Sequence, residues 1–237
     1  MSKFISLIIF LLLGVTICNN IPQIDIFVES LCPDCQDFIA GSFADYMKNP
    51  SFKELANINF IPYGNAKETQ NGDKYEFTCQ HGPNECYGNI VENCALNKLS
   101  YEEGLNFMVC FESKVEKYQK DVKKALKNCI SEEKVHKDIL DCSENEEGNI
   151  LQHKSALKTP IHNYVPWVHF NGEHDTKIED KILKDMNKYL CGFNQTLTGC
   201  KKYSNEVFLA IESEERKEIT KCMNEFFLED NFKNINK

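Results

Sequence analysis

Two cysteines separated by two residues, Cys32-Pro33-Asp34-Cys35, are the part of this chain best suited to chemistry. A Cys-x-x-Cys pair supports three kinds of chemistry: thiol–disulfide exchange, half of a tetrahedral zinc site, or a local disulfide. Zinc requires a partner pair, and no second C-x2-C occurs in the sequence, although Cys79, His81 and Cys86 supply metal-ligating types. A structural bridge across so short a loop is a weak staple, because loop-closure stabilisation grows with loop length. Exchange chemistry needs a reactive thiolate. At pH 5 a thiol of ordinary pKa (~8.5) is only ~0.03% thiolate. Lowering the pKa to about 5 raises that to roughly half, while intrinsic nucleophilicity falls ~40-fold, leaving a net gain of roughly 40-fold.

The flanking residues predict elements that produce such a shift. Ile24, Ile26 and Val28 alternate as in a strand, and Phe27 between them implies that both faces are covered. After Cys35, the positions Phe38, Ile39, Phe43, Tyr46 and Met47 follow helical spacing up to Asn49-Pro50. Cys32 therefore falls near an N-cap, with Pro33 at the first helical position. The unpaired N–H groups and positive end of the helix favour a thiolate there. The Asp34 carboxylate opposes this effect. Cys35, one turn inside, is shielded and acts second.

Further along, "ANINFIPYGNA" reads as a second strand ending in a turn. Residues 67–90 read as an irregular, disulfide-tied loop or hairpin, and residues 91–157 as several short helices. "YVPWVHFNGEH" returns to strand composition with a turn at Asn171-Gly172. Ile178, Ile182, Met186 and Leu190 form one stripe of a helix that Gly192 is placed to cap. The order strand, helix, strand, insertion, strand with hairpin, helix requires a right-handed crossover and a parallel pair. It is an α/β, thioredoxin-like layout, with a disulfide-tied, mainly helical insertion (about 67–157) between the second and third strands. In that layout Val165-Pro166 faces the redox pair, is cis and contributes to substrate binding.

Composition sets the compartment. Residues 1–18 read as a signal peptide with an apolar run from Leu7 to Leu13, too short to remain as a membrane anchor. The chain has 12 cysteines. Cleavage after Cys18 leaves an odd number, which implies at least one thiol that is free, paired between chains or lost with a processed segment. Such a density indicates an oxidising compartment and structural disulfides. A net charge of −9 argues against nucleic acid as a partner. The C-terminal "NINK" is no retrieval signal, and Asn194-Gln195-Thr196 is a glycosylation sequon.

One stretch is more specific. "CQHGPNECYGNIVENC" runs Cys79-Gln80-His81-Gly82, then Glu85-Cys86, then Asn89, then Cys94. This resembles the complete signature of the gamma-interferon-inducible lysosomal thiol reductase family. "SLCPDC", "IPYGNA", "YVPWVHFNG" and a helix ending at Cys191 follow the same family order, so the resemblance covers about 23–200. It implies a lysosomal, phagosomal or secreted reductase of protein disulfides acting at acidic pH, without cofactor or metal. Cys32 and Cys35 match the active-site pair. Cys79, Cys86 and Cys94 match signature cysteines, expected with Cys110, Cys129, Cys142, Cys191 and Cys200 to form disulfides of unknown pairing. His81 has two readings: a loop histidine satisfied by local hydrogen bonds, or a cation that stabilises the Cys32 thiolate. The implied partners are unfolded or disulfide-bonded proteins and a small-thiol reductant. A tail of 201–237 adds a propeptide or an extra helix, and its Cys222 is the candidate for a disulfide-linked dimer. The rival functions are a secretory oxidase or isomerase using the same pair, and a non-enzymatic cysteine-rich binding protein.

Overall fold

The computed structural model describes residues 21–203 except 116 and 119. The expected signal peptide, most of the tail, and Cys222 lie outside the described residues. The structure is mixed α/β and rich in helix. β1 (Gln23–Val28) leads to α1 (Pro33–Phe38), a π turn (Ile39–Phe43) and α2 (Ala44–Met47), so the predicted helix is one path with an irregular middle. The short α3 (Phe52–Leu55) precedes β2 (Asn57–Pro62). β1 and β2 pair in parallel with Ile24 opposite Ile58 and Ile26 opposite Phe60. β5 (Trp167–Phe170) pairs antiparallel to the other edge of β1, giving the order β2–β1–β5. β1 is thus central, which explains why Phe27 is buried like Ile26 and Val28 on the opposite face. Ile24, Ile26 and Val28 join the main core, whereas Phe27 packs with Ile61 and Trp167 in a second cluster.

Between β2 and β5 lie a hairpin, β3 (Lys67–Asn71) with β4 (Lys74–Thr78), and five helices. These are α4 (Pro83–Lys98), α5 (Tyr101–Val115), α6 (Val122–Cys129), α7 (Glu133–Glu144) and α8 (Glu146–Lys158). Residues 83–90, expected to be irregular, are the first turns of α4. Gly82 at φ 92° delivers the chain to Pro83 at the helix start, a local signal masked by the two glycines of the segment. Cys94–Cys142 joins α4 to α7, and Cys110–Cys129 joins α5 to α6. Cys191–Cys200 ties the last helix, α9 (Thr176–Cys191), to the 3-10 turn Thr198–Tyr203.

Two expectations change around β5. Asn171 and Gly172 adopt positive φ of 52° and 87°, so the turn forms, but the returning strand is reduced to one bridge between Phe170 and Glu173. Gly192 does follow α9, yet in a right-handed conformation (φ −60°) rather than as a left-handed cap. α9 is interrupted at Asp185, where the backbone leaves helical geometry. Ser42 Oγ compensates, accepting from Met186 N–H at 3.0 Å and donating to Ile182 C=O at 3.3 Å.

Candidate active site

The site is built where β1 ends. Glu29, Ser30 and Leu31 are buried and lead into Cys32, the N-cap of α1 in extended conformation (φ −77°, ψ 120°). Pro33 occupies the first turn, where a missing N–H leaves nothing unpaired. Gln36 N–H closes the turn on Cys32 C=O at 3.0 Å, and the Gln36 amide donates to Ser30 C=O at 3.1 Å. Cys32 is 7% exposed and Cys35 fully buried, and both are free thiols. The other eight described cysteines, including Cys79–Cys86, are disulfide-bonded.

The electrostatics separate the two thiols. The Cys32 pKa is pushed down to about 6, chiefly because Cys35 S–H donates to its sulfur. Burial opposes this, while the backbone N–H groups of Cys35 and Asp34 add to it. The Asp34 carboxylate raises the pKa, but it is the smallest of these influences, so the N–H groups at the helix start prevail. Burial, then the bond to Cys32, push Cys35 well above the ordinary thiol range.

Across from α1, the Val165–Pro166 bond is cis and both residues are buried. Cys32 Sγ lies 3.9 Å from the Val165 carbonyl oxygen, an acceptor for its proton. Residues 133 positions apart thus converge on one sulfur. The loop is held by Glu179 of α9, whose carboxylate accepts from Val168 N–H at 2.7 Å and Tyr164 Oη–H at 2.6 Å. Glu179 was not singled out from sequence, because an acidic residue in the first turn of a helix reads as a solvated one.

His81 lies beside two carboxylates. Its Nδ1 pairs with Glu85 Oε2 and lies 3.9 Å from Glu29 Oε2. These are local contacts of the histidine, and the Glu29 carboxyl is close enough to Cys32 for their charges to interact. Burial, helped by the Glu85 charge, pushes Glu29 up to about 7. A second carboxyl pair, Glu92 on α4 and Glu112 on α5, lies within hydrogen-bonding reach of each other and close enough to influence Cys35. The Gln36 side chain, on α1, is also within hydrogen-bonding reach of Glu112 and opposes the rise in its pKa. Two carboxyls so placed join only if one carries a proton, and burial raises the pKa of both. Sequence reasoning missed this pair, since Glu in a helix ordinarily reads as surface. Asn194, of the sequon, is exposed.

Comparison with known proteins agrees with the motif order. The sequence profile described as gamma interferon inducible lysosomal thiol reductase (GILT) matches residues 23–133. The chain is 35% identical to the goldfish (Carassius auratus) gamma-interferon-inducible lysosomal thiol reductase over 178 residues, covering 71% of this chain and 66%, just under two thirds, of that protein. It is 34% identical to the Mus musculus protein of the same name over 188 residues, with 76% and 69% covered. GILT-like protein 1 of Drosophila melanogaster is 30% identical over 187 residues, with 72% and 74% covered. With motifs, matched profile and relatives in accord, the chain belongs to the gamma-interferon-inducible lysosomal thiol reductase family.

Proposed function

We propose that this protein reduces disulfide bonds of protein substrates by thiol–disulfide exchange at Cys32, with Cys35 as the resolving thiol. One observation carries the reading: among the ten described cysteines only these two are free, and the more exposed of them sits at a helix start with a lowered pKa. The Cys32 thiolate attacks one sulfur of the substrate disulfide, forming a mixed disulfide and releasing the other sulfur as a thiolate that takes up a proton. Cys35 then loses its proton and attacks Cys32 Sγ. The second substrate sulfur leaves and is protonated. Two electrons and two protons have reached the substrate, and Cys32–Cys35 has become a disulfide. An external small-thiol reductant regenerates the pair.

The parallel β1–β2 pair, the antiparallel β5 and the redox helix after β1 support a thioredoxin-like domain over about 19–200, with the insertion at 67–157. The Val165–Pro166 edge, within reach of Cys32 Sγ, is where the substrate chain lies. The names of the relatives, the four disulfides and the sequon support passage through the secretory pathway to an acidic compartment, lysosome or phagosome, or secretion. Residues 1–18 serve as the signal peptide, Asn194 carries the glycan, and Cys222 offers a thiol for a disulfide-linked dimer.

The test is insulin reduction at pH 5. Cys32→Ser abolishes it, and Cys35→Ser accumulates a covalent enzyme–substrate species on non-reducing gels. Full activity in Cys32→Ser overturns the assignment, and so does the absence of a trapped species in Cys35→Ser.

A further inference from the structure

A second constellation lies beside the redox pair. Glu29 leaves the end of β1, His81 precedes the Gly82 N-cap of α4, and Glu85 lies in the first turn of that helix. One atom of each, a carboxylate oxygen or an imidazole nitrogen, comes within 4.8 Å of the others. The two carboxylate side chains are 1% and 0% exposed, whereas the imidazole is 27% exposed and provides access from solvent.

The carboxylates are held as ligands are held. Glu29 Oε1 accepts from Asn65 N–H at 2.5 Å, and Glu85 Oε1 accepts from His81 N–H at 2.9 Å. Each glutamate therefore has one oxygen fixed by main chain and the other directed into the cluster. Glu29 Oε2 is buried and has no hydrogen-bond partner, although it lies 3.9 Å from His81 Nδ1. The backbone also closes on Glu29: Gly64 holds φ 56°, and a Cβ there would lie 2.3 Å from Glu29 Cγ. The second wall is fixed by Cys79–Cys86, which brackets His81 and Glu85. Ser30 clamps the two walls together, its N–H donating to Asn89 Oδ1 at 2.8 Å and its Oγ to Glu85 C=O at 3.1 Å.

Once both carboxyls are ionised, two buried carboxylates outweigh one imidazole, and the excess negative charge is costly in a buried site. One dication balances both carboxylates with the imidazole neutral. We propose that Glu29, His81 and Glu85 form a divalent-cation site of the zinc class, which clips the β1–α1 loop to the start of α4 next to the redox pair. The donor set selects the cation: imidazole with two carboxylates suits zinc and its transition-metal neighbours, and three protein ligands leave a position for water on the open side. Ligands at ~2.0–2.2 Å from zinc sit ~3.4 Å apart, so on binding the close His81–Glu85 pair opens to admit the ion while Glu29 Oε2, 3.9 Å from His81 Nδ1, draws in. The consequence reaches Cys32, whose N–H donates to the Glu29 carbonyl at 3.2 Å.

The experiment separates this site from the thiols, which also bind soft metals. Zn2+ is titrated calorimetrically into the full-length Cys32→Ser/Cys35→Ser protein, its remaining thiol at Cys222 blocked with iodoacetamide, at pH 7.5, and Co2+ is followed by its d–d absorption. One equivalent binds with a Kd of about 10 µM or tighter. Glu29→Gln and His81→Ala each weaken binding roughly tenfold or more, as expected for loss of a ligand in a pre-organised site. His153→Ala, in the separate His153–Glu68 pair, leaves the affinity unchanged. Zn2+ also raises Tm in the double-serine protein but not once His81→Ala is added. Because His81 is partly exposed, that variant serves even if Glu29→Gln misfolds. Failure of saturable binding below about 100 µM overturns the site, as does unchanged affinity in His81→Ala.

Discussion

Cys32 and Cys35 differ by one helical turn, and that turn sets their thiols apart in acidity. Cys32 collects N–H groups and an S–H bond, while Cys35 is sealed in the core and keeps its proton. With a pKa of about 6, Cys32 is ~10% thiolate at pH 5, some 300-fold more than an ordinary thiol. Intrinsic nucleophilicity falls ~13-fold over the same shift, so the net advantage is ~20-fold. That is a smaller shift than a pKa of 5 but a similar net gain, because the two effects partly offset one another. The rate of iodoacetamide reaction at Cys32 is therefore expected to rise with pH about a midpoint near 6. Measured in Cys35→Ala, the midpoint moves upward, since the S–H donor that lowers it most is removed. A midpoint near 8.5 in the parent removes the electrostatic account.

Between elements, the contact that positions the site is α4 against the end of β1. A Cβ at Gly88 would lie 2.2 Å from Ser30 Oγ and 2.9 Å from Ser30 Cβ, so only glycine allows this approach. Gly88→Ala is expected to cost about 1–3 kcal/mol, or roughly 2–10 °C in Tm, and to lower reductase activity by displacing the loop before Cys32. Adding Ser30→Gly restores part of both by making room. Thermal melts and insulin assays of the three variants check this, and a Gly88→Ala protein as stable as the parent refutes the packing argument. The helical nature of 83–90 was hidden in the sequence, because Gly82 and Gly88 read as loop residues. One is a turn into the helix and the other a point of contact, and spacing alone does not distinguish them. In contrast, β1, the redox helix and β2 were legible, because alternation, a proline at the helix start and Asn49-Pro50 all act locally.

At the scale of the molecule, Glu92 and Glu112 tie stability to pH. Their carboxyls titrate above the ordinary carboxylate range when folded, so between the unfolded and folded pKa values the native state holds more protons than the unfolded chain. The contribution is full below about pH 4.3 and is lost as pH rises through the elevated values. Tm is expected to fall by roughly 5 °C or more from pH 5 to pH 8, and Glu112→Gln to flatten that slope. A calorimetric series in which the parent and Glu112→Gln show the same slope counts against the shared proton. The disulfides add stability of another kind. Cys94–Cys142 closes the longest loop, 48 residues apart, and by the chain-entropy argument constrains the unfolded state most, by about 4 kcal/mol.

The sequence by itself determined the Cys-x-x-Cys pair, the helix start beside it, the cysteine-rich insertion and the family signature, because each is written in neighbouring residues. Asp34 shows the limit: its charge was readable, but its weight against the helix N–H groups was not. Tertiary structure alone decided the four disulfide pairings, the meeting of Cys32 with Val165, the burial of Glu92 beside Glu112 and the turning of His81 toward Glu29 and Glu85. The physical reason is that these depend on desolvation and on contacts between residues distant in the chain, which local patterns of polarity do not encode.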